Sequence, residues 1–282
     1  MFLAALLNSQ PMGFYAPSQL VQDARRHGVE VLPADVCASE WECTLERGDA
    51  VRLGLLMIKG LSREGAGRIV GARADRRFES IEDLAYRGEL KAHDLKCLAA
   101  SGALAPLAQH RRYAYWDVAG VETQVPILRG APLDERRPAL SAPSEGEDLV
   151  ADYASLGLTL ARHPLALLRS RLARLRFSTA EEIRLLPHGK TARAAGIVTG
   201  RQRPDTASGV VFVTLEDETG YVNVVVWRDV TERQRRELLT SRLMGVEGVL
   251  ERNSEVVHLV ARRLIDHSPL LGRLVTASRD FH

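Results

Sequence analysis

The chain has 282 residues, of which 45% are hydrophobic and 26% charged, enough apolar material for cores in about two or three modest domains. Its 38 Lys and Arg stand against 36 Asp and Glu, net +2, so composition does not announce a nucleic-acid binder and any basic footprint has to be local. Cys37, Cys43 and Cys97 are too few and too scattered for a disulfide scaffold, and the apolar start at residues 1–7 is far shorter than the roughly 20 residues that span a bilayer, which together point to the reducing cytoplasm.

In chain order, residues 2–7 read as the end of a helix, broken by Pro11 and Gly13. Ser18 is placed to cap a second helix over 19–27, where Leu20, Val21 and Ala24 recur at helical spacing, with Gly28 at its C-terminal end and a short strand at 29–32. Residues 51–56 alternate and then turn apolar throughout. Ile58-Lys59-Gly60-Leu61-Ser62 follows, and Ala66, Ile69 and Val70 mark a helix to about residue 74. Ser80 caps 81–86, a longer helix covers 90–100, Gly102 interrupts it, and 110–118 carries Tyr113, Tyr115 and Trp116. Residues 48–119 thus read as one helical domain, preceded by a separate segment, 1–47.

Pro126, Pro132, Pro138 and Pro143 punctuate residues 120–147, which show no sustained period and read as an exposed linker. A helical connector occupies 148–190, helical from 148 to 175 with a break at His163-Pro164. The period then changes to two. Strands are expected at 192–199, 210–216, 221–227, 243–250 and 256–264, with a hairpin turn at Asp217-Glu218-Thr219-Gly220 and a charged helical stretch at 230–239 after the third strand. Three strands, a helix and two strands is the order of an OB-fold barrel, here 191–268, with a tail at 269–282. The expected fold class is therefore α+β multidomain: a tandem helix-hairpin-helix domain followed by an OB-fold β-barrel.

The segment around Gly60 has the chemistry of a helix-hairpin-helix loop. Glycine lets backbone approach a phosphate, and the free N–H groups at the next helix start, from Ser62 onward, bind the anion with help from the helix dipole. Lys59, Arg63 and Arg68 add sequence-independent charge. An ordinary helix-helix turn containing a glycine is the competing reading. Residues 98–104, around Gly102, form a weaker second copy. In the barrel, Arg193, Arg201 and Arg203 cluster in sequence near the loop between the first two strands, and Phe212 and Tyr221 are candidate stacking platforms for bases. Alternation sets Phe212 on the face opposite Val211, Val213 and Leu215. Filling the barrel is the alternative use of Phe212.

Trp41 and Trp116, among apolar neighbours, read as core anchors, and His27, His93, His163 and His258 lack metal-ligand spacing. No Asp-x-Asp pair and no Walker loop or nucleophile elbow occurs, and Glu216-Asp217-Glu218 sits where acidic residues serve turn chemistry. These residues imply no catalytic site, metal or cofactor.

Taken together, several segments resemble the C-family bacterial DNA polymerases of the replicative alpha-subunit type, and within them the error-prone, damage-inducible branch. Residues 4–15, AALLNSQPMGFY, resemble the close of that family's fingers region, and Arg52-Leu53-Gly54-Leu55 with Ile58-Lys59-Gly60-Leu61 resembles the start of its tandem helix-hairpin-helix domain. Asp152-Tyr153, Leu156-Gly157-Leu158 and His163-Pro164-Leu165 resemble the helix leading to its OB-fold. Residues 212–220 and 223–227 resemble the central hairpin and third strand of that fold, and 278–282 the ending of the error-prone branch. The resemblance implies a longer parent that synthesises DNA across lesions during SOS mutagenesis. It also implies duplex and single-stranded DNA, a Y-family-like accessory mutagenesis protein and the sliding clamp as partners. The family's metal-binding N-terminal domain and palm have no counterpart here, so Met1 reads as an artificial start, a split gene or a truncated product, and the chain alone is not expected to be an enzyme. A protein-interaction scaffold docking accessory proteins is the alternative use of the same fold.

Overall fold

Leu7, Leu53, Leu55, Ile69, Leu84, Leu98 and Leu104 are fully buried in one apolar cluster that runs from Leu3 to Leu158. The computed structural model describes residues 2–12, 15–46, 48–121, 138–204, 209–253, 256–274, 276 and 279–281. They divide into two units, residues 1–160 and 161–282.

In the first unit, α1 (Phe2–Asn8) and α2 (Pro17–Arg26) precede three two-residue strands, β1 (Val31–Leu32), β2 (Thr44–Leu45) and β3 (Val51–Arg52). β3 lies in the middle, parallel to β1 and antiparallel to β2. A 3-10 turn, Leu55–Met57, leads through the Gly60 hairpin to α3 (Arg63–Asp75), α4 (Ile81–Arg87), α5 (Ala92–Ser101), α6 (Ala105–Ala108) and α7 (Arg111–Gly120), and α8 (Glu145–Ser155) completes the array. The sequence boundary at 47/48 does not separate two cores. Val36 belongs to the same cluster as Leu84, and Nη1 of Arg73 in α3 donates to the carbonyls of Val36 and Ser39.

Two helix starts differ from expectation. Ala16, not Ser18, is the N-cap of α2, because Pro17 takes the first helical position and Gln19 accepts the Ala16 N–H. α8 begins three residues earlier than expected, at Glu145, because Ser144 and Glu147 form a capping box. The Ser144 N–H and hydroxyl, with Arg112, hold the Glu147 carboxyl down to about 2. Most of the expected linker, 122–137, lies outside the described residues. Trp116 is 46% exposed rather than a core anchor, since α7 buries the i, i+4 pair Ala114 and Val118 and turns Tyr115 and Trp116 outward. Trp41 is partly buried against the core.

The second unit opens with α9 (Pro164–Arg174), whose N-cap His163 accepts the Leu165 N–H, and α10 (Ala180–Leu185). β4 (Thr191–Gln202), β5 (Val211–Asp217) and β6 (Gly220–Val226) come next, then α11 (Arg228–Arg233) and α12 (Arg235–Thr240), then β7 (Leu243–Asn253) and β8 (Val256–Asp266). The order β5-β6-β8-β7-β4 closes through β4–β5 pairing into a five-stranded barrel, with β6 and β8 parallel. This is the expected OB-fold. Alternating Val211, Val213, Leu215 and Val222, Val224, Val226 fill it. The charged helix expected at 230–239 is two short helices meeting at Gln234. The segment expected as a tail holds a 3-10 turn, Ser268–Leu271, and β9 (Arg279–Phe281), which lies parallel to Gly200–Gln202 of β4.

The acidic run does serve the turn. Asp217 Oδ1 accepts the N–H groups of Thr219 and Gly220 and the Thr219 hydroxyl, while Oδ2 accepts the Ala180 N–H at 2.8 Å, and Arg169 pairs with both Asp217 and Glu218.

His267 gives the barrel unit a pH dependence. Its ring is edge-on to Phe177 at 5.2 Å, its buried Nε2 has no hydrogen-bond partner among the described residues, and burial pushes the imidazole below its ordinary 6.5. The unfolded chain therefore binds this proton more readily. The contribution of His267 to stability is fully present above about 6.5 and declines as the pH falls below it. Urea midpoints at pH 7.5 and 5.5 should differ less for His267→Gln than for the wild type. An equal difference would exclude His267 as the source.

Candidate nucleic-acid interface

Gly60 turns the hairpin with φ +83, a conformation that side chains rarely adopt, and a Cβ there would stand 3.2 Å from Cys97 Sγ and 3.4 Å from His93 Nε2. The helix start beyond it already has an anion. Asp94, 2% exposed, accepts the Ser62 N–H at 3.0 Å and the Ser62 hydroxyl at 3.2 Å, while Ser62 Oγ accepts the Gly65 N–H as the N-cap of α3. A buried carboxylate thus stands where the sequence reading put a phosphate.

The expected charges of the hairpin are also largely committed. Lys59 Nζ donates to the carbonyls of Tyr153 and Ala154 at 3.0 and 3.2 Å, closing the C-terminus of α8, and burial pushes its ammonium below its ordinary value. Arg68 donates from Nε to the Gly88 carbonyl and pairs with Glu64. Lys59, Gly60, Ser62 and Arg63 are all exposed, with the Arg63 guanidinium 5.9 Å from the Trp41 ring. In the second copy, Gly102 has φ +79, but Arg111 holds the carbonyls of Ala100 and Ser101 and pairs with Asp148 and Asp152. Ala103 and Leu104 are fully buried, so that turn is a packing element. Beside the first hairpin lies an open groove of about 1320 Å³, with Lys59, Tyr86, Lys91, Lys96 and Tyr115 on its lining. Sequence reasoning singled out only Lys59 of these as a ligand.

In the barrel, β4, β5 and β6 present an outer face. Phe212 and Thr214 alternate with buried Val211, Val213 and Leu215, and pair in register with Val225 and Asn223. His258 of β8 pairs with Asn223, and Gln202 of β4 with Phe212. Phe212 is 37% exposed, which favours the platform reading over barrel filling. Tyr221, half-buried, lies farther along β6. Trp227, at the next outward position beyond Val225, is 51% exposed and was missed. The available signal was a tryptophan opening the arginine-rich stretch 227–236.

The three arginines assigned to the loop separate. Arg203 is exposed there. Arg201 is not: it is 6% exposed, and its Nε and Nη2 donate to the carbonyls of Leu238 and Ser241, each at 2.6 Å, closing α12 from inside. The bulge between Val198 and Gly200 shifts the alternation by one residue and turns Arg201 inward. Arg193 sits at the opposite end of β4, paired with Glu247 at 2.7 Å and lying 4.8 Å from the Phe177 ring.

Net charge divides unevenly between the units. Residues 161–282 carry 20 Lys and Arg against 14 Asp and Glu, net +6, whereas residues 1–160 carry 18 against 22, net −4.

Comparison with known proteins agrees with this arrangement. Residues 28–114 match the helix-hairpin-helix motif family, and residues 192–266 the family of OB-fold nucleic acid binding domains. An error-prone DNA polymerase of Aromatoleum aromaticum is 58% identical over 99% of this chain and 27% of its own length, and one of Alkalilimnicola ehrlichii is 54% identical over 100% and 28%. The chain thus spans about a quarter of the length of these relatives. Among solved structures, asparaginyl-tRNA synthetase from Pyrococcus horikoshii aligns with 30% of this chain and 21% of its own at 25% identity and a TM-score of 0.27, a likeness that carries no weight.

The geometry separates structural from surface cations. Arg201→Ala should lower stability by about 2–3 kcal/mol, because it leaves buried carbonyls without donors. Arg203→Ala should leave stability within about 0.5 kcal/mol of the wild type. Chemical denaturation of both variants checks this, and equal stabilities would show that Arg201 does not hold α12.

Proposed function

We propose, starting from the homology of this chain along its whole length to a stretch of the error-prone DNA polymerases, that it holds DNA for a longer polymerase during damage-induced mutagenesis. The observation that carries this reading is the outer barrel face. Exposed Phe212 and Trp227 stand there beside exposed arginines, in the unit with net charge +6. Aromatic faces stack bases of any sequence while cations follow the backbone, which suits a polymerase that meets arbitrary and damaged template. Single-stranded template lies on this face.

Duplex is held by the helical unit through the exposed backbone of the Gly60 hairpin and Arg63, with Lys59, Ser62 and Arg68 holding the turn through their own hydrogen bonds. No chemical step is assigned to this chain. Two of its buried carboxylates, Asp94 and Asp217, are engaged in hydrogen bonds that build the hairpin and the barrel turn. Synthesis belongs to the longer protein, in the cytoplasm, together with a Y-family-like accessory protein and the sliding clamp. A scaffold reading draws on one observation, the exposed pair Tyr115 and Trp116 on α7. Salt separates the two readings, since phosphate binding weakens steeply as salt rises and apolar docking does not.

Phe212→Ala and Trp227→Ala should each weaken binding of a short oligothymidylate by about 1–3 kcal/mol with unchanged circular dichroism. Wild-type binding should fall as salt is raised from 50 to 200 mM. Folded variants that bind as the wild type does would remove the barrel face from the proposal. Extension of a primer by the purified chain with a divalent metal would refute the absence of a catalytic role.

A further inference from the structure

At the open end of the β5–β6 ladder the chain builds a second feature, a pocket of about 430 Å³ lined by Arg203, Gly209, Arg228, Thr231, Glu232 and Arg235. Gly209 has φ +85, a conformation that side chains rarely adopt, and the Arg228 stem packs against it, with Cγ and Cδ 3.3 and 3.4 Å from where a Cβ would stand. Arg228 Nε is fixed by Glu232 Oε1 at 2.7 Å, one turn along α11. Arg203 and Arg235 are exposed, and no hydrogen bond or ion pair holds either among the described residues. Thr231 lines the same pocket, and its buried Oγ1 has no hydrogen-bond partner among the described residues. Three guanidiniums and one carboxylate leave the pocket with two positive charges and an unused hydroxyl.

We infer that this pocket binds one phosphate group of the strand lying on the barrel face, with Arg203, Arg228 and Arg235 as charged donors and Thr231 as a hydroxyl donor. The inference rests on the single-strand reading of that face and deepens it by fixing where the backbone is anchored. Guanidinium suits this task because its planar fork matches two phosphate oxygens at once. Placement supports it too. Gly209 precedes Phe212 by three residues, in the turn just ahead of β5, a span of at most about 10 Å, so a base on Phe212 and a phosphate in the pocket belong to one short stretch of nucleic acid. Glu232 orients Arg228 and opposes a second phosphate close by, so the pocket takes one group and not a run of them.

The test uses the full 282-residue chain and 12-residue oligothymidylates in three forms: unmodified, with a terminal phosphate at either end, and with one internal linkage replaced by a neutral methylphosphonate at successive positions. An internal phosphate as ligand predicts a severalfold loss of affinity at one methylphosphonate position, and a terminal phosphate predicts a severalfold gain from one end group. In either case Arg228→Ala and Arg235→Ala should bind the unmodified strand about tenfold more weakly and lose the response to the modification. Their salt slope should fall by about 0.7, the value for one phosphate on a single strand. Arg228→Lys should recover part of the slope, and circular dichroism should be unchanged throughout. Arginine variants that bind and respond as the wild type does, while Phe212→Ala still weakens binding, would overturn the pocket and leave the face. Absence of single-strand binding by the wild type would overturn both.

Discussion

The barrel depends on β4 serving two neighbours at once. Its first seven residues pair with β7 and its end pairs with β5, and Ile197 has partners on both sides, Leu243 and Glu216. A strand that changes neighbours has to bend with another chain close against it, which explains the small residues Ala194, Ala195 and Gly196 at the corner. A Cβ on Gly196 would sit 2.7 Å from Leu215 Cβ and 3.0 Å from the backbone of Glu216. The bulge that follows completes the change of direction and shifts which side chains point inward. From that shift come the inward Arg201, its hold on the end of α12, and the β4–β5 register that puts Gln202 beside Phe212 on the outer face.

A second theme runs through both units: cations closing helix ends. Lys59 closes α8, Arg68 reaches Gly88 at the end of α4, Arg111 holds the last carbonyls of α5, and Arg201 those of α12. The final carbonyls of a helix have no partner within it, and they carry its negative dipole end, so a guanidinium or ammonium satisfies both needs. Such a cation is unavailable to phosphate. Sequence shows how many basic residues there are but not how many are engaged in this way, and this is why two of the five arginines singled out as DNA ligands, Arg68 and Arg201, turn out to close helix ends.

The fold was legible because it rests on local signals. Period-two alternation at Val211–Leu215 and Val222–Val226, the Asp217–Gly220 turn and the capping residue Ser80 each act within a few residues, and each appears where the sequence places it. What was illegible depends on contacts far apart in sequence. Asp94 reaches Ser62 across 32 residues, and Lys59 reaches Tyr153 across 94. No periodicity encodes those distances. Arg201 was misplaced for a different reason: a single bulged residue reverses every later side chain, and the one mark of the bulge in the pattern VTGRQ is Gly200, which was not used. Phe212 was legible because the alternation around it is unbroken.

The opposite net charges of the units give the helix-hairpin-helix and barrel halves different physics of binding. A unit at +6 attracts a polyanion before any contact forms, and on the proposed reading much of its affinity would come from counterions released as phosphates are neutralised. A unit at −4 gains nothing from its net field, and its hairpin helix start is already partnered by Asp94. Any duplex binding there has to come from short-range geometry, the exposed backbone at Gly60 and the few local cations such as Arg63. Screening by salt acts mainly on the long-range term, so the barrel should carry most of the salt dependence while the hairpin contributes orientation with little charge of its own. Such a division fits the proposed function, in which flexible single strand is captured by charge and stacking and duplex is positioned by shape.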